Sequence, residues 1–167
     1  MKLLTERPLS QDALRPLSVG GTAFGMNFRV RAASAADIPA MHHVRNDVRE
    51  NRLYDPQRVQ EASYLPYIAA GSAWVAETDA GIVGFAAIDA QARRVWALFV
   101  DPGAEGSGIG RALHRRMLEW AQEQGISTLS LDTEEGTRAA HFYERAGWRR
   151  AGFTDDGGVL FEISLRN

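Results

Sequence analysis

One stretch limits what this chain can fold into: Val95–Ala121, VWALFVDPGAEGSGIGRALHRRMLEWA. Val95–Val100 is continuously apolar, with β-branched and aromatic residues, and predicts a buried strand. Asp101-Pro102-Gly103 ends it, because proline has no N–H for a sheet ladder. Gly106, Gly108 and Gly110 then follow at every second position. From Ile109 the apolar residues fall at Ala112, Leu113, Met117, Trp120 and Ala121, the spacing of one helix face. A glycine loop feeding a helix leaves first-turn N–H groups without intrahelical partners, at the positive end of the helix dipole. Such a place suits an anion, phosphate above all.

The rest of the chain supplies a sheet and helices around that unit. Phe28-Arg29-Val30-Arg31 alternates apolar and basic, as a half-exposed strand does. Ser34 caps a helix running to about Glu50, with Asp37 in its first turn and Ile38, Met41, Val44 and Val48 as a narrow apolar stripe. His42, His43, Arg45, Asn46 and Arg49 make its polar face. Arg45, Arg49 and Arg52, with Asn51 and Tyr54, gather around this helix and its exit, and are expected as a solvated face. A second helix, from about Pro56 to Ala69, is expected to kink or divide at Pro66 and to end at Gly71. Ala73–Glu77, Ile82–Asp89 and Arg94–Val100 are joined by short turns and form an antiparallel meander. The helix over 109–124 closes at Gly125, and a strand follows over Ile126–Asp132. A short helix over Thr137–Ala146 ends at Gly147, and a last strand covers Val159–Leu165.

The order β-α-α-β-β-β-α-β-α-β predicts an α/β fold with a mixed, mostly antiparallel central sheet. The sheet is expected to split between the fourth and fifth strands, with the glycine loop opening into the crevice. Residues 1–27 hold Pro8, Pro16, Gly20, Gly21 and Gly25 without a sustained period, and are expected as a poorly packed extension. Residues 28–167 are expected as one domain. The four tryptophans, with Met41 and Met117, read as core, except that Trp96 is placed to face the crevice.

Composition narrows the ligand. A formal charge of −2 offers no basic surface for nucleic acid. No apolar run approaches the roughly 20 residues of a membrane span. The chain has no cysteine, which excludes disulfides and thiolate chemistry and agrees with a reducing compartment. With no signal-peptide pattern at Met1–Arg7, a cytoplasmic setting is expected. No metal is expected. Two phosphate fingerprints fail. A dinucleotide G-x-G-x-x-G/A pattern meets Arg111 counting from Gly106 and Leu113 counting from Gly108. The Gly103-to-Gly108 spacing of a P-loop is followed by Ile109 rather than lysine.

Two motifs together resemble a known superfamily. The first is Leu98-Phe99-Val100 followed by Glu105-Gly106-Ser107-Gly108-Ile109-Gly110-Arg111. The second is Ala139-Ala140-His141-Phe142-Tyr143-Glu144-Arg145-Ala146-Gly147-Trp148. In this order, with the strands between them, residues 28–165 resemble the GNAT superfamily, the Gcn5-related N-acetyltransferases. There are three departures. Glu105 stands where the family has Gln or Arg, Gly136 where it often has Asn, and Arg93-Arg94 where many members carry a glutamate base.

The resemblance implies acetyl transfer from acetyl-CoA, as cosubstrate, to a primary amine on a small molecule or peptide. It implies a pyrophosphate cradle on the backbone of Gly106, Ser107, Gly108, Ile109, Gly110 and Arg111, whose glycines allow close approach. It sets the thioester beside the backbone of Leu98, Phe99 and Val100. Tyr143 becomes the acid for the leaving thiolate, since a phenol of pKa about 10 can protonate a thiolate of pKa about 8.5. The base stays open among Glu77, Asp89, His42, His43 and water. Homodimers are common in the family, though no exposed stripe here demands one. An alternative of another class is a non-catalytic acyl-CoA sensor on the same fold.

Overall fold

The computed structural model describes residues 17–18, 26–47 and 59–166. Its strands are β1 (Leu17–Ser18), β2 (Asn27–Ala32), β3 (Ala73–Thr78), β4 (Gly81–Asp89), β5 (Arg94–Val100), β6 (Thr128–Glu134), β7 (Arg149–Phe153) and β8 (Gly158–Ser164). The helices are α1 (Ile38–Asp47), α2 (Leu65–Ala69), α3 (Ile109–Glu123) and α4 (Arg138–Arg145). All strands lie in one sheet of order β1-β2-β3-β4-β5-β6-β8-β7. Every pairing is antiparallel except β5 with β6.

The expected split is present. The parallel pair β5–β6 meets only at Arg94 and Ser130, where Ser130 N–H donates to Arg93 O at 3.0 Å. Arg94 and Asp132 form an ion pair across the same point. Beyond it the two strands part, which leaves the later edge of β5 without a strand partner among the described residues.

Helices cover both sheet faces. Gly84 lies against Ile109 and Leu113 of α3, while its neighbour Phe85 meets Tyr64 on the opposite face. Successive strand residues point to opposite faces, so α3 occupies one side and α1 with the Tyr64 turn the other. The core between them includes Trp74, Phe85, Leu98, Phe99, Met41, Leu113 and Met117, all fully buried. Trp120 and Trp148 are also buried, whereas Trp96 is half-exposed.

The helix stops fall where glycine is placed to make them. Gly71, Gly125 and Gly147 all have positive φ, a conformation that costs other residues about 1 kcal/mol or more. After each glycine the next residue bonds back over the last turn: Ser72 N–H to Tyr67 O, Ile126 N–H to Ala121 O, and Trp148 N–H to Tyr143 O, each 2.9 Å. This double closure satisfies the last carbonyls.

Some expected boundaries move. Ile126 is spent on the α3 stop, so β6 starts at Thr128 rather than 126. The second helix is a 3₁₀ turn over Glu61–Tyr64 followed by α2, which agrees with a division at Pro66. The element order lacks two strands. β7 is exposed at every residue, so its sequence carries no apolar alternation. Only hydrogen bonds to β8 make it a strand. β1 pairs Leu17 with Phe28 and Ser18 with Asn27 within the expected extension. The rest of residues 1–25 lies outside the described residues, as do Arg49, Asn51, Arg52 and Tyr54. Among the described residues, no helix is long and apolar enough to cross a membrane.

Candidate active site

The glycine loop forms as its spacing demands. Gly106 has φ +80° and Gly108 φ +84°, both left-handed, so the chain reverses twice within three residues. Gly108 is the N-cap of α3 and has no side chain to satisfy the first-turn N–H groups. Between the glycines, Ser107 is buried and its hydroxyl donates to Ala104 O, which ties the loop to the turn after β5. Asp101 holds that turn by accepting from Gly103 N–H at 2.9 Å. The result is a cradle of backbone N–H groups at the positive end of a 15-residue helix.

A cleft of about 270 Å³ opens on this cradle, bounded by Val100, Glu105, Gly106, Gly108, Gly110 and Arg111 on one side. Arg138, Phe142 and Arg145 of α4 form the other side. These three recur at i, i+4 and i+7, which is one helix face. That spacing was visible in the sequence, but nothing local says which face of α4 meets the loop. Glu105 and Arg138 join the two sides in an ion pair of 2.6 Å. A CoA pyrophosphate fits this donor set: N–H groups, left-handed glycines without Cβ atoms, and three arginines.

The free edge of β5 lies beside the cradle. Asp101 N–H donates to Val83 O at 2.7 Å, so Asp101 is directed toward β4. Alternation along an antiparallel strand then directs Phe99 to β4 as well, while Leu98 and Val100 turn their N–H and C=O groups toward the split. Of the three expected platform residues, Leu98 and Val100 present backbone to the crevice, and Phe99 spends its own on the sheet.

Tyr143 lies one residue past Phe142 and faces inward. Its ring is fully buried and makes edge contacts with Phe142 and Trp148 and a tilted contact with Phe161. Burial, and then the charge of Asp132 on β6, push its phenol well above the usual range.

The other face of β5 carries an aromatic group. The β4–β5 register shifts by one residue between Ala87 and Ile88, leaving Trp96 as an extra residue of β5. Trp96 stacks on Tyr67 at 4.4 Å and meets Tyr64 edge-on at 5.3 Å. The Arg45 guanidinium lies 4.7 Å from the Trp96 ring centre and 4.8 Å from that of Phe99. Arg45 is buried, which corrects its expected place on a solvated face: the bulged Trp96 offers it a π surface. Tyr64 OH and His42 Nδ1 lie 3.0 Å apart at the same place.

The base candidates separate by environment. Glu77 is held by Arg31 and Arg29, which keep its carboxyl below the usual range despite partial burial. Asp89 accepts from Ala92 N–H at 3.0 Å in the β4–β5 turn.

Residues 69–150 match the family model described as "Acetyltransferase (GNAT) domain". The chain carries a GNAT acetyltransferase domain. The match spans the cradle, the platform strand and α4. The GNAT domain is similar to mycothiol acetyltransferase of Sanguibacter keddieii, 35% identical over 96 residues, or 52% of this chain and 30% of that protein. It is also similar to N-acetylaspartate synthetase of Danio rerio, 38% identical over 90 residues, or 50% of this chain and 31% of that protein. The chain thus spans about a third of the length of these curated relatives. In fold it resembles Ard1 from Thermoplasma volcanium, with a TM-score of 0.71 and 19% identity over 84% of this chain and 99% of that one. PaiA N-acetyltransferase from Thermoplasma acidophilum, solved with coenzyme A, gives a TM-score of 0.68 and 17% identity over 83% and 99%.

Proposed function

We propose that this domain transfers an acetyl group from acetyl-CoA to a primary amine by direct attack. The observation that carries the proposal is the left-handed Gly106–Gly108 cradle set beside the unpaired edge of β5, at the point where the sheet splits. The relatives support it, since mycothiol acetyltransferase and N-acetylaspartate synthetase are both named for acetyl products or transfer. A cytoplasmic setting fits a chain without cysteine.

Acetyl-CoA would supply an activated thioester carbonyl. The backbone N–H groups from Gly106 to Arg111 hold the pyrophosphate, with Arg111 and Arg145 adding charge at the rim. Leu98 and Val100 align the acyl arm along the strand edge. An N–H from that edge donates to the carbonyl oxygen as negative charge builds, an effect worth roughly 3–4 kcal/mol where such donors have been removed. The amine nitrogen bonds to the carbonyl carbon, the carbon–sulfur bond breaks, and Tyr143 gives its phenol proton to the departing sulfur. Burial keeps the phenol protonated throughout the neutral range and makes it a weaker acid than a free phenol. Water takes the amine proton, because the ion pairs with Arg31 and Arg29 lower the basicity of Glu77.

The test is thiol release from acetyl-CoA by the purified protein with a panel of primary amines. Amine-dependent release supports the proposal. Tight CoA binding with no release for any amine would favour a sensor of acyl-CoA instead.

A further inference from the structure

Glu105 is the residue in which the cradle departs most from its family, and the structure gives it a partner the loop sequence does not name. Its carboxylate pairs at 2.6 Å with Arg138, which comes from the first turn of α4. The two residues stand on opposite sides of the cleft. Their exposures differ: the Glu105 side chain is 18% exposed and that of Arg138 65%. The carboxylate is therefore inside and the guanidinium at the rim.

Charge at the cleft is uneven. Arg111, Arg138 and Arg145 are its cations, and Glu105 is its carboxylate among the described lining residues. A phosphate ligand arriving at the α3 N-terminus meets that carboxylate beside its seat. An ion pair with one rim-exposed member is weak, because water competes for it. A guanidinium forms stronger, two-pronged bonds with phosphate than with a screened carboxylate.

We propose that the Glu105–Arg138 pair is an electrostatic latch across the mouth of the cleft. Arg138 is a phosphate-binding residue that Glu105 holds in the resting state. Binding exchanges the carboxylate for phosphate oxygens on the same guanidinium. The latch biases the cleft toward ligands that bring more negative charge than one carboxylate. No covalent step is involved. The inference rests on the cleft being a CoA site.

The experiment is calorimetric titration with CoA, and with pantetheine, which has the same arm without phosphates. The proteins are wild type, Glu105→Gln, Arg138→Gln and the double variant. Thermal unfolding of each checks that the fold is kept. Glu105→Gln is expected to bind CoA about fivefold tighter, the upper range for an exposed ion pair, with a larger gain at low salt. Arg138→Gln is expected to bind CoA more weakly by a similar factor. In the Arg138→Gln background the Glu105→Gln gain should shrink, because no guanidinium remains to be released. Pantetheine affinity should not change in any variant. A Glu105→Gln protein that binds CoA no tighter than wild type overturns the latch, and so does a gain that is undiminished without Arg138. In both cases wild-type CoA binding leaves the proposed activity standing. A folded wild type that binds no CoA removes the CoA site and the latch with it.

Discussion

The indole N–H of Trp148 donates to Nε2 of His114 across 3.0 Å, both side chains buried. The residue after the α4 stop is thereby fastened to the middle of α3, which ties the end of one helix flanking the cleft to the other. For His114 to accept at Nε2, its ring must be neutral with the proton on Nδ1.

Burial lowers the His114 pKa from 6.5 to about 4. The folded state therefore favours neutral imidazole, while the unfolded chain takes up a proton near 6.5. This contribution is complete above pH 6.5 and is lost as the pH falls toward 4. Its size is at most roughly 3 kcal/mol. Urea unfolding across this range should show the decline, and His114→Gln should flatten it. An unaltered pH profile in that variant would assign the acid sensitivity elsewhere.

Tyr143→Phe should lower kcat by about a hundredfold or more, the usual weight of a positioned acid. CoA affinity should change little, because the pyrophosphate seat is lined by the cradle and by Arg138, Phe142 and Arg145 rather than by Tyr143. Unchanged turnover would remove Tyr143 from the chemistry and leave it as a core residue.

Gly84→Ala should destabilise the fold by about 1–3 kcal/mol, the range for an overpacked core. An added Cβ would stand 3.1 Å from Phe99 O and 3.2 Å from both Ile109 Cγ2 and Leu113 Cδ1. These atoms belong to the platform strand and the first turns of α3, so CoA affinity should fall along with the thermal midpoint. A neutral thermal shift would mean that α3 can move away without penalty.

Glu77→Gln should leave turnover and its pH profile unchanged. Arg31 and Arg29 engage this carboxylate and lower its basicity, which makes it a poor proton acceptor whose loss costs little. Stability should drop by less than about 1 kcal/mol, because the pair is partly exposed. Lost turnover together with loss of the acidic limb of the rate profile would instead make Glu77 the missing base.

Much of the fold was legible because its signals are local. Three glycines placed after apolar helical runs mark three helix ends, since left-handed φ is costly for anything else. The continuous apolar run of β5 and the glycines after it identify strand, loop and helix within one window. β7 was not legible, because its exposed residues carry no pattern and it exists by pairing with β8.

The candidate site divides in the same way. By itself the sequence determined the cradle: glycine backbone freedom and the helix dipole are properties of neighbouring residues, and they specify an anion seat wherever the segment lies. Only the tertiary structure decided what faces it. Sheet order brings Arg138, Phe142 and Arg145 over the loop, gives Glu105 its partner, and turns Tyr143 inward. A one-residue shift in the β4–β5 register sends Trp96 under Arg45. These contacts join segments distant in the chain. Which segments meet is set by strand pairing and helix packing over the whole core, which no single window of sequence contains.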